Sequence, residues 1–503
     1  VVDEFGNFSD KRKITPEQWY EHYKEHIEIA EVQEIKQAPK SSFRIPSVFK
    51  QFSIFLQRDV LSKISDQQYM IVNLLEAPFL AIILAFIIRY KNSPDGTYMF
   101  QFNDNIPAYL LMSIVVALFL GLSISAEEII KDRKLRQREQ FLHLSQGSYL
   151  FSKIAILFTM SAFQILLFVL IGNSILELKD MNLSFWLMLF SCAAFANVLG
   201  LNVSSAFKSA ITVYIVIPII LIPQMILSGL LFSFDKLNNY ISGENYVPIV
   251  GDLMASRWAL EGMAVFQYKN NRYEYPLFKL DAEIKNASFK TAYWSKEMTS
   301  EINFAANNFY KRDDLTREKV DDALTLIKNE IEKEPFKGPL KEVNIDSALT
   351  IATVSPRVFL VLHQYINELE TYYGKTYAVA QRKMDKLIEV LQNNKAYDYD
   401  VSNYKKLYFN DNLANLVRNS NVKDRIKVYN HHLVRKIDPI YYVSTPSGPL
   451  NYRSHFFAPK KHFLGATIDT FTFNIGAIWL MTIFFYITLY FDLFRKLFNL
   501  RWN

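Results

Sequence analysis

The chain has 503 residues, half of them hydrophobic, with 40 Phe and 29 Tyr. That is too apolar and aromatic for a disordered chain. The formal charge of +6 is modest, and the absence of any DNA- or RNA-binding signature argues against nucleic acid as a partner.

The apolar residues gather in blocks of about 20, the length a helix needs to cross about 30 Å of hydrocarbon. The single cysteine, Cys192, lies inside such a block, so an intrachain disulfide is excluded. The sequence begins at Val1 without an initiator methionine or signal peptide, which reads as a segment of something longer or a processed product.

Thr15-Pro16-Glu17-Gln18 is a helix start, with Thr15 as cap, Pro16 at the first helical position and Gln18 completing a capping box. The polar helix that follows is expected to run to about residue 37, and residues 37–47 read as a linker. Residues 48–64 place Val48, Phe49, Phe52, Phe55, Leu56, Leu61 and Ile64 largely along one side, the pattern of a helix lying in a membrane interface. The plainer alternative is a soluble core helix.

Six spans are expected, at 70–88, 106–125, 154–175, 183–204, 210–232 and 471–491. The segment between the second and third is densely charged and cannot enter hydrocarbon, so it must lie at the membrane face. Its Lys131, Arg133, Lys134, Arg136 and Arg138, with Lys153, Lys208, Arg495, Lys496 and Arg501, fall on one side if the N-terminus is cytoplasmic. Arg89 and Lys91 fall on the other. This orientation makes 233–465 extracytoplasmic. Its first part, 233–268, is too broken to span and too apolar to stand free in water, which suits a re-entrant or interfacial helix pair. The rest is water-soluble in composition, with long amphipathic helices expected at 313–335 and 356–393, the second pairing as a helical hairpin.

Several local patterns resemble chemistry. His22 and His26 have the spacing of an inverted zinc-peptidase motif, but a third ligand is unassigned and a solvated helix face explains them. Gly374-Lys375-Thr376 resembles the end of a P-loop, but Leu369 stands where the loop's first glycine belongs, so the segment lacks its own engine for ATP hydrolysis. His431-His432 have no partners at metal spacing, and Asn286-Ala287-Ser288 is a glycosylation triplet that also arises by chance. No catalytic residue and no metal site are expected. Glu76, inside an apolar block, is a functional suspect, unless it sits near the interface paired with Lys63 or Arg58. Gln164, Asn197, Asn202 and Asn474 are uncharged polar residues within spans, where bonding between helices competes with gripping a substrate. Pro218 and Pro223 break the backbone ladder of the fifth span, as a bend or a cavity lining would.

Together these residues resemble the permease domain of ATP-binding-cassette exporters of the White (G) subfamily type. The resemblance rests on the interfacial helix, on Glu128, Arg133, Arg138 and Glu139 between spans two and three, and on Tyr149 and Ser152-Lys153 opening span three. It also rests on Ile222-Pro223-Gln224-Met225-Ile226-Leu227-Ser228-Gly229, on Ser256-Arg257-Trp258-Ala259-Leu260-Glu261, and on an isolated last span. It covers 45–265 and 465–503.

The resemblance implies a mainly α, polytopic membrane fold. Residues 126–148 would be a coupling helix, with Glu128, Asp132, Arg133, Arg138 and Glu139 meeting a nucleotide-binding domain. It further implies a homodimer with a translocation path along Phe119, Asn197, Pro223, Gln224 and Met225, and it leaves Glu76 and Asn474 as intramembrane polar candidates. ATP and Mg would act through the nucleotide-binding domain, which usually precedes the permease on one chain. The remaining partner is membrane lipid, and the expected location is the inner membrane. The insert at 269–465 departs from the family, whose corresponding loop is much shorter. Two functions follow: export of an amphipathic, lipid-like or cell-surface cargo, or mechanical transmission in which ATP hydrolysis moves the insert against an envelope partner. A secondary transporter fits less well, because no inverted repeat is visible.

Overall fold

The computed structural model describes residues 13–26, 46–92, 96–142, 144–238, 240–243, 245–342, 348–393, 400–444, 448 and 451–499. The chain divides into Val1–Pro46 and Ser47–Asn503. In the first unit, α1 (Pro16–His26) starts at the expected capping box: Gln18 N donates to Thr15 Oγ1 at 3.3 Å and Thr15 N donates to Gln18 Oε1 at 3.0 Å. Every described residue of α1 is exposed, and the expected extension to residue 37 lies outside the described residues.

The second unit opens with α2 (Val48–Ser65), followed by α3 (Gln67–Ile88), α4 (Ile106–Ser125), α5 (Glu128–Glu139), α6 (Gln146–Leu176), α7 (Asn182–Ala206) and α8 (Ala210–Ile226). Asp66 alone separates α2 from α3, and its carboxylate caps α3 by accepting from Tyr69 N at 3.0 Å. The charged helix α5 ends at Glu139, short of the expected 148. Gln140–Leu142 tightens into a 3-10 turn, and Ser145 caps α6 by accepting from Ser148 N at 3.3 Å. Residues 146–153 therefore belong to the third apolar helix.

Helices α3, α4, α6, α7 and the later α17 (Thr470–Tyr490) are long and apolar enough to cross a membrane. The fifth expected span is shorter than anticipated. Helix α8 has 17 residues, about 25 Å of helix, and the chain bends from Leu227 onward. Gly229 makes the bend possible with φ +89°, where a Cβ would lie 2.7 Å from the Phe234 ring and 2.8 Å from Phe456.

Helices α4 and α7 form the centre. Their shared face is built from small residues, so the backbones approach closely. A Cβ on Gly121 would sit 2.5 Å from the Ala193 carbonyl oxygen and 2.7 Å from Ala196 Cβ. Helix α3 packs on α6 through Ala77, Ala81 and Ala85, all fully buried at a spacing of four, while Phe79, Phe86 and Ile87 face outward. After the short α9 (Ile249–Asp252), α10 (Ala255–Asn270) turns back and packs against α17, α4 and α7. The broken apolar segment thus packs on the bundle through α10.

The insert consists of α11 (Phe278–Phe289), α12 (Ser295–Asn308), α13 (Asp314–Lys333), α14 (Pro356–Asn393), α15 (Val401–Tyr408) and α16 (Asp411–Arg418). A five-residue π turn at Lys290–Trp294 joins α11 to α12. Helix α14 is one continuous helix of 38 residues rather than a hairpin, because its apolar stripe packs on α11 and α12 instead of folding on itself. Trp294, Met298, Ile302, Leu324, Ile327 and Tyr365 form the insert's own core.

Two antiparallel hairpins follow, β1 (Ile426–Tyr429) with β2 (His432–Arg435), and β3 (Lys460–Phe463) with β4 (Ala466–Asp469). Their two-residue turns have positive φ at both positions, Asn430 and His431 in one and Leu464 and Gly465 in the other. Helix α16 seats on the α3–α4 loop, where Asn410 Nδ2 donates to the carbonyls of Phe100 at 2.8 Å and Asn103 at 2.9 Å. The chain then passes through α17 to α18 (Leu493–Asn499).

Gly121→Val forces α4 from α7 and is expected to cost about 1–3 kcal/mol. Gly476→Ala, where a Cβ meets nothing within 4 Å, is expected to be nearly neutral. Thermal unfolding of the detergent-solubilised protein compares the two.

Candidate functional site

Helix α2 buries Gln51, Phe55 and Asp59 at a spacing of four and exposes Phe49, Ile54, Leu61 and Ile64. Polar residues inward and apolar residues outward is the reverse of a helix packed in water, and it suits the interfacial reading. The buried stripe docks on the start of α6. Ser145 N donates to Gln51 Oε1 at 2.8 Å, and Ser148 Oγ donates to the Val48 carbonyl at 2.9 Å.

At the centre of this junction is Lys153, on the first turns of α6. Its buried Nζ lies 2.9 Å from Asp59 Oδ2, 3.2 Å from Glu128 Oε2 and 2.8 Å from Asp132 Oδ2. One ammonium therefore ties α2, α5 and α6 together. Tyr149 OH donates to Asp132 Oδ2 at 3.1 Å, and Lys63 pairs with Glu128. Arg58 Nη1 binds Glu139 Oε1 at 2.9 Å, fastening the far end of α5 to α2. Arg133 Nη2 donates to the carbonyls of Ser205 at 3.2 Å and Phe207 at 2.8 Å, fastening α5 to the end of α7. Burial pushes the Asp59 carboxyl upward, only partly opposed by Lys153, and the Asp132 and Glu128 carboxylates add to the rise. In contrast, Lys134, Gln137 and Arg138 are exposed on the opposite face of α5.

A second ionic network joins α10 to α17 and β3. Glu261 is fully buried, and its Oε2 accepts from Lys461 Nζ at 2.8 Å and Asn474 Nδ2 at 2.9 Å, with Arg257 Nη1 at 3.3 Å. Its Oε1 accepts from Phe457 N at 3.2 Å. Burial works to raise Glu261, but the Arg257 and Lys461 charges outweigh it and hold the carboxyl below its usual range. Burial pulls Lys461 down to about 8 against that same carboxylate.

A third cluster lies where α10 passes into the insert. Tyr441 OH donates to Glu274 Oε1 at 3.2 Å and lies 2.6 Å from Tyr268 OH. Burial, reinforced by the Asp281 carboxylate, pushes Glu274 up to about 8, and burial also raises Asp281.

Residues 50–267 match the ABC-2 type transporter family. An ABC transporter ATP-binding/permease protein of Mycobacterium tuberculosis is 26% identical over 200 residues, a match covering 36% of this chain and 22% of that protein. The ABC-2 stretch contains most of α2, α3 to α9 and most of α10, and with its apolar helices it makes this a multi-pass membrane protein.

Within the ABC-2 stretch, Phe119, Pro223 and Ile222 are exposed on α4 and α8, and Met225 is half-buried. Gln224 is buried and binds α10, its Oε1 accepting from Ser256 N at 3.0 Å. Asn197 is also buried and donates to Ser161 Oγ at 2.8 Å. Gln164 donates to the Asn73 carbonyl at 2.6 Å, and Asn202 donates to the Phe485 carbonyl at 2.8 Å. Asn474 donates to the Trp258 carbonyl at 2.8 Å. Glu76 is half-buried and has no ion pair among the described residues, because Lys63 and Arg58 pair with Glu128 and Glu139 instead.

The motif-like patterns resolve differently. The His22 and His26 Nδ1 atoms are 2.9 Å apart, and no group of three metal-binding side chains occurs among the described residues. Gly374 lies inside α14, so no phosphate loop forms there. His431 Nε2 faces Asp322 Oδ1 at 2.8 Å, and His432 Nδ1 lies 2.8 Å from Lys333 Nζ. Asn286 is occupied, with Nδ2 donating to the Tyr441 carbonyl at 3.1 Å and Oδ1 accepting from Arg435 at 2.5 Å.

Sequence reading missed Asp59, Lys461 and Glu274. Asp59 carried a signal: it is the acidic residue on the otherwise basic polar side of an interfacial helix. Lys461 carried none, because it meets Glu261 from 200 residues away along the chain.

Lys153→Met leaves Asp59, Glu128 and Asp132 without their shared counter-charge. It is expected to lower stability by about 3–5 kcal/mol, measured as a drop in thermal midpoint. Glu274 is raised from 4.5 to about 8, so its stabilising contribution is complete below about pH 4.5 and is lost as pH rises through about 8. Glu274→Gln is expected to flatten the decline in thermal midpoint between pH 6 and 9.

Proposed function

We propose that this chain is the membrane half of an ATP-driven exporter that works as a homodimer, with α5 as the handle on which a nucleotide-binding domain acts. One observation carries the reading: a buried ammonium and three carboxylates lock α5 to α2 and α6, while the other face of α5 stays exposed. Glu128, Asp132, Arg133 and Glu139 act as the inner fastening of the handle. Arg138 is its outer contact, able to pair with a carboxylate of the soluble domain. ATP and Mg act on that domain. Displacement of α5 then moves α6 and α7 as near-rigid rods.

The path lies between α4 and α8 of two copies, with Phe119, Pro223 and Met225 facing it and Gln224 and Asn197 holding its wall. The exposed Ile211, Ile215, Ile219 and Ile222 of α8 suit an amphipathic or lipid-like cargo. The ABC-2 match and the ATP-binding/permease relative support an ATP-driven permease. In this reading the α5 side is cytoplasmic and the insert lies outside the inner membrane.

A second reading, mechanical transmission, is favoured by the apolar core that runs without a break from the bundle into Leu413, Val417, Ile440 and Phe457 of the insert. That continuity couples bundle motion to the insert directly.

Arg138→Glu is expected to leave folding intact and to cut cargo transport at least tenfold per ATP hydrolysed, in vesicles containing the nucleotide-binding domain. Unchanged coupling overturns the role of α5. Wild-type ATP turnover that shifts the insert without moving any lipid-like probe favours the mechanical reading.

A further inference from the structure

The α5 junction also borders a cavity of about 480 Å³, lined by α2, α5, the start of α6, Ser205 at the end of α7, and Asp492 and Arg495. Three arginines converge on it: Arg133 and Arg136 from α5, and Arg495 from α18. Among the described residues none of the three has a carboxylate within ion-pair distance. Arg133 is held by backbone carbonyls, and Arg136 stacks over the Tyr149 ring at 4.5 Å. Arg133 and Arg495 stand close enough for their like charges to repel. The lining also holds two carboxylates. Glu139 is already spent on Arg58, leaving Asp492 to face three guanidiniums.

Like charges gathered around a cavity repel one another, and an anion within it relieves that repulsion. The elements lining the cavity also carry exposed apolar side chains: Phe49 on α2, Phe151 on α6, and Leu493 and Leu497 on α18. An anion reaching this cavity therefore does so beside hydrocarbon, and the guanidiniums lie just beyond the end of α17, at headgroup level. A volume of about 480 Å³ is many times that needed for one water and accommodates a phosphate with its polar substituent.

We propose that this cavity binds the headgroup of an anionic phospholipid from the adjacent leaflet, with Arg136 and Arg495 gripping the phosphate and Arg133 supplying field. Planar guanidiniums suit phosphate oxygens, each offering paired N–H donors. The site would make the mobility of α5 depend on the lipid around it. This inference rests on the membrane placement of the bundle and is independent of transport.

The test uses the detergent-purified protein without nucleotide, titrated with short-chain phosphatidylglycerol, short-chain phosphatidylcholine and glycerol phosphate, with binding read by native mass spectrometry. Phosphatidylglycerol is expected to bind at least tenfold more tightly than phosphatidylcholine. Arg136→Gln and Arg495→Gln are each expected to weaken it about fivefold. Lys131→Gln, on an exposed side chain paired with Glu127, is expected to leave it unchanged. Equal binding of the two lipids overturns the proposal, as does an equal loss in Lys131→Gln. Glycerol phosphate binding as tightly as phosphatidylglycerol replaces the lipid with a free phosphate and overturns the assignment. Arg495 is exposed, so its variant folds even if loss of the Arg136–Tyr149 stack destabilises the other.

Discussion

The structure depends on one buried ammonium. Lys153 is charged in a place where a lone charge is costly, and it is tolerated because three carboxylates from two other helices converge on it. Each carboxylate in turn needs the lysine. That mutual need fixes the angle at which α2 meets α6 and the distance at which α5 lies below them. A hydrophobic junction of the same size would leave those helices freer to slide, since apolar contact has no preferred partner.

Around that node the architecture divides the work by residue type. Small residues set the close approach of α4 and α7, and of α3 and α6. Buried amides then tie helix to helix, as Asn202 does between α7 and α17 and Gln164 does between α6 and α3. In surroundings without water an unpaired amide is costly, so each of these side chains selects one register. At the other end of the bundle, Glu261 plays a part comparable to that of Lys153 with the sign reversed. One carboxylate collects Arg257, Lys461 and Asn474 and anchors the return of α10. The two networks tie helices together at both ends of the bundle, while the outer faces of α3 and α8 are apolar and exposed among the described residues.

Much of the membrane half was legible from local pattern. Long apolar runs predict spans because backbone groups in hydrocarbon must bond within the helix. The Thr15–Gln18 box and the charged break before Gln146 are likewise local. The shortening of α8 was less legible, because hydropathy continues through residue 232 while the backbone turns at Gly229. The end of α5 at Glu139 was hidden for another reason: residues 140–145 contain no glycine or proline, and hydrogen bonding at Ser145 decides the junction.

The sequence by itself determined that this chain is helical, apolar in spanning-length blocks, and interrupted by a charged segment that must stay at the membrane face. It also carried the family resemblance, which resides in short runs such as Arg133 to Glu139 and Ile222 to Gly229. Only the tertiary structure decided who meets whom: Asp59 with Lys153 across 94 positions, Lys461 with Glu261 across 200, and Arg495 with Arg133. Periodicity reports which face of a helix is apolar, and that is a property of neighbouring residues. The pairing of buried charges depends on helix packing and loop closure, which no local window contains.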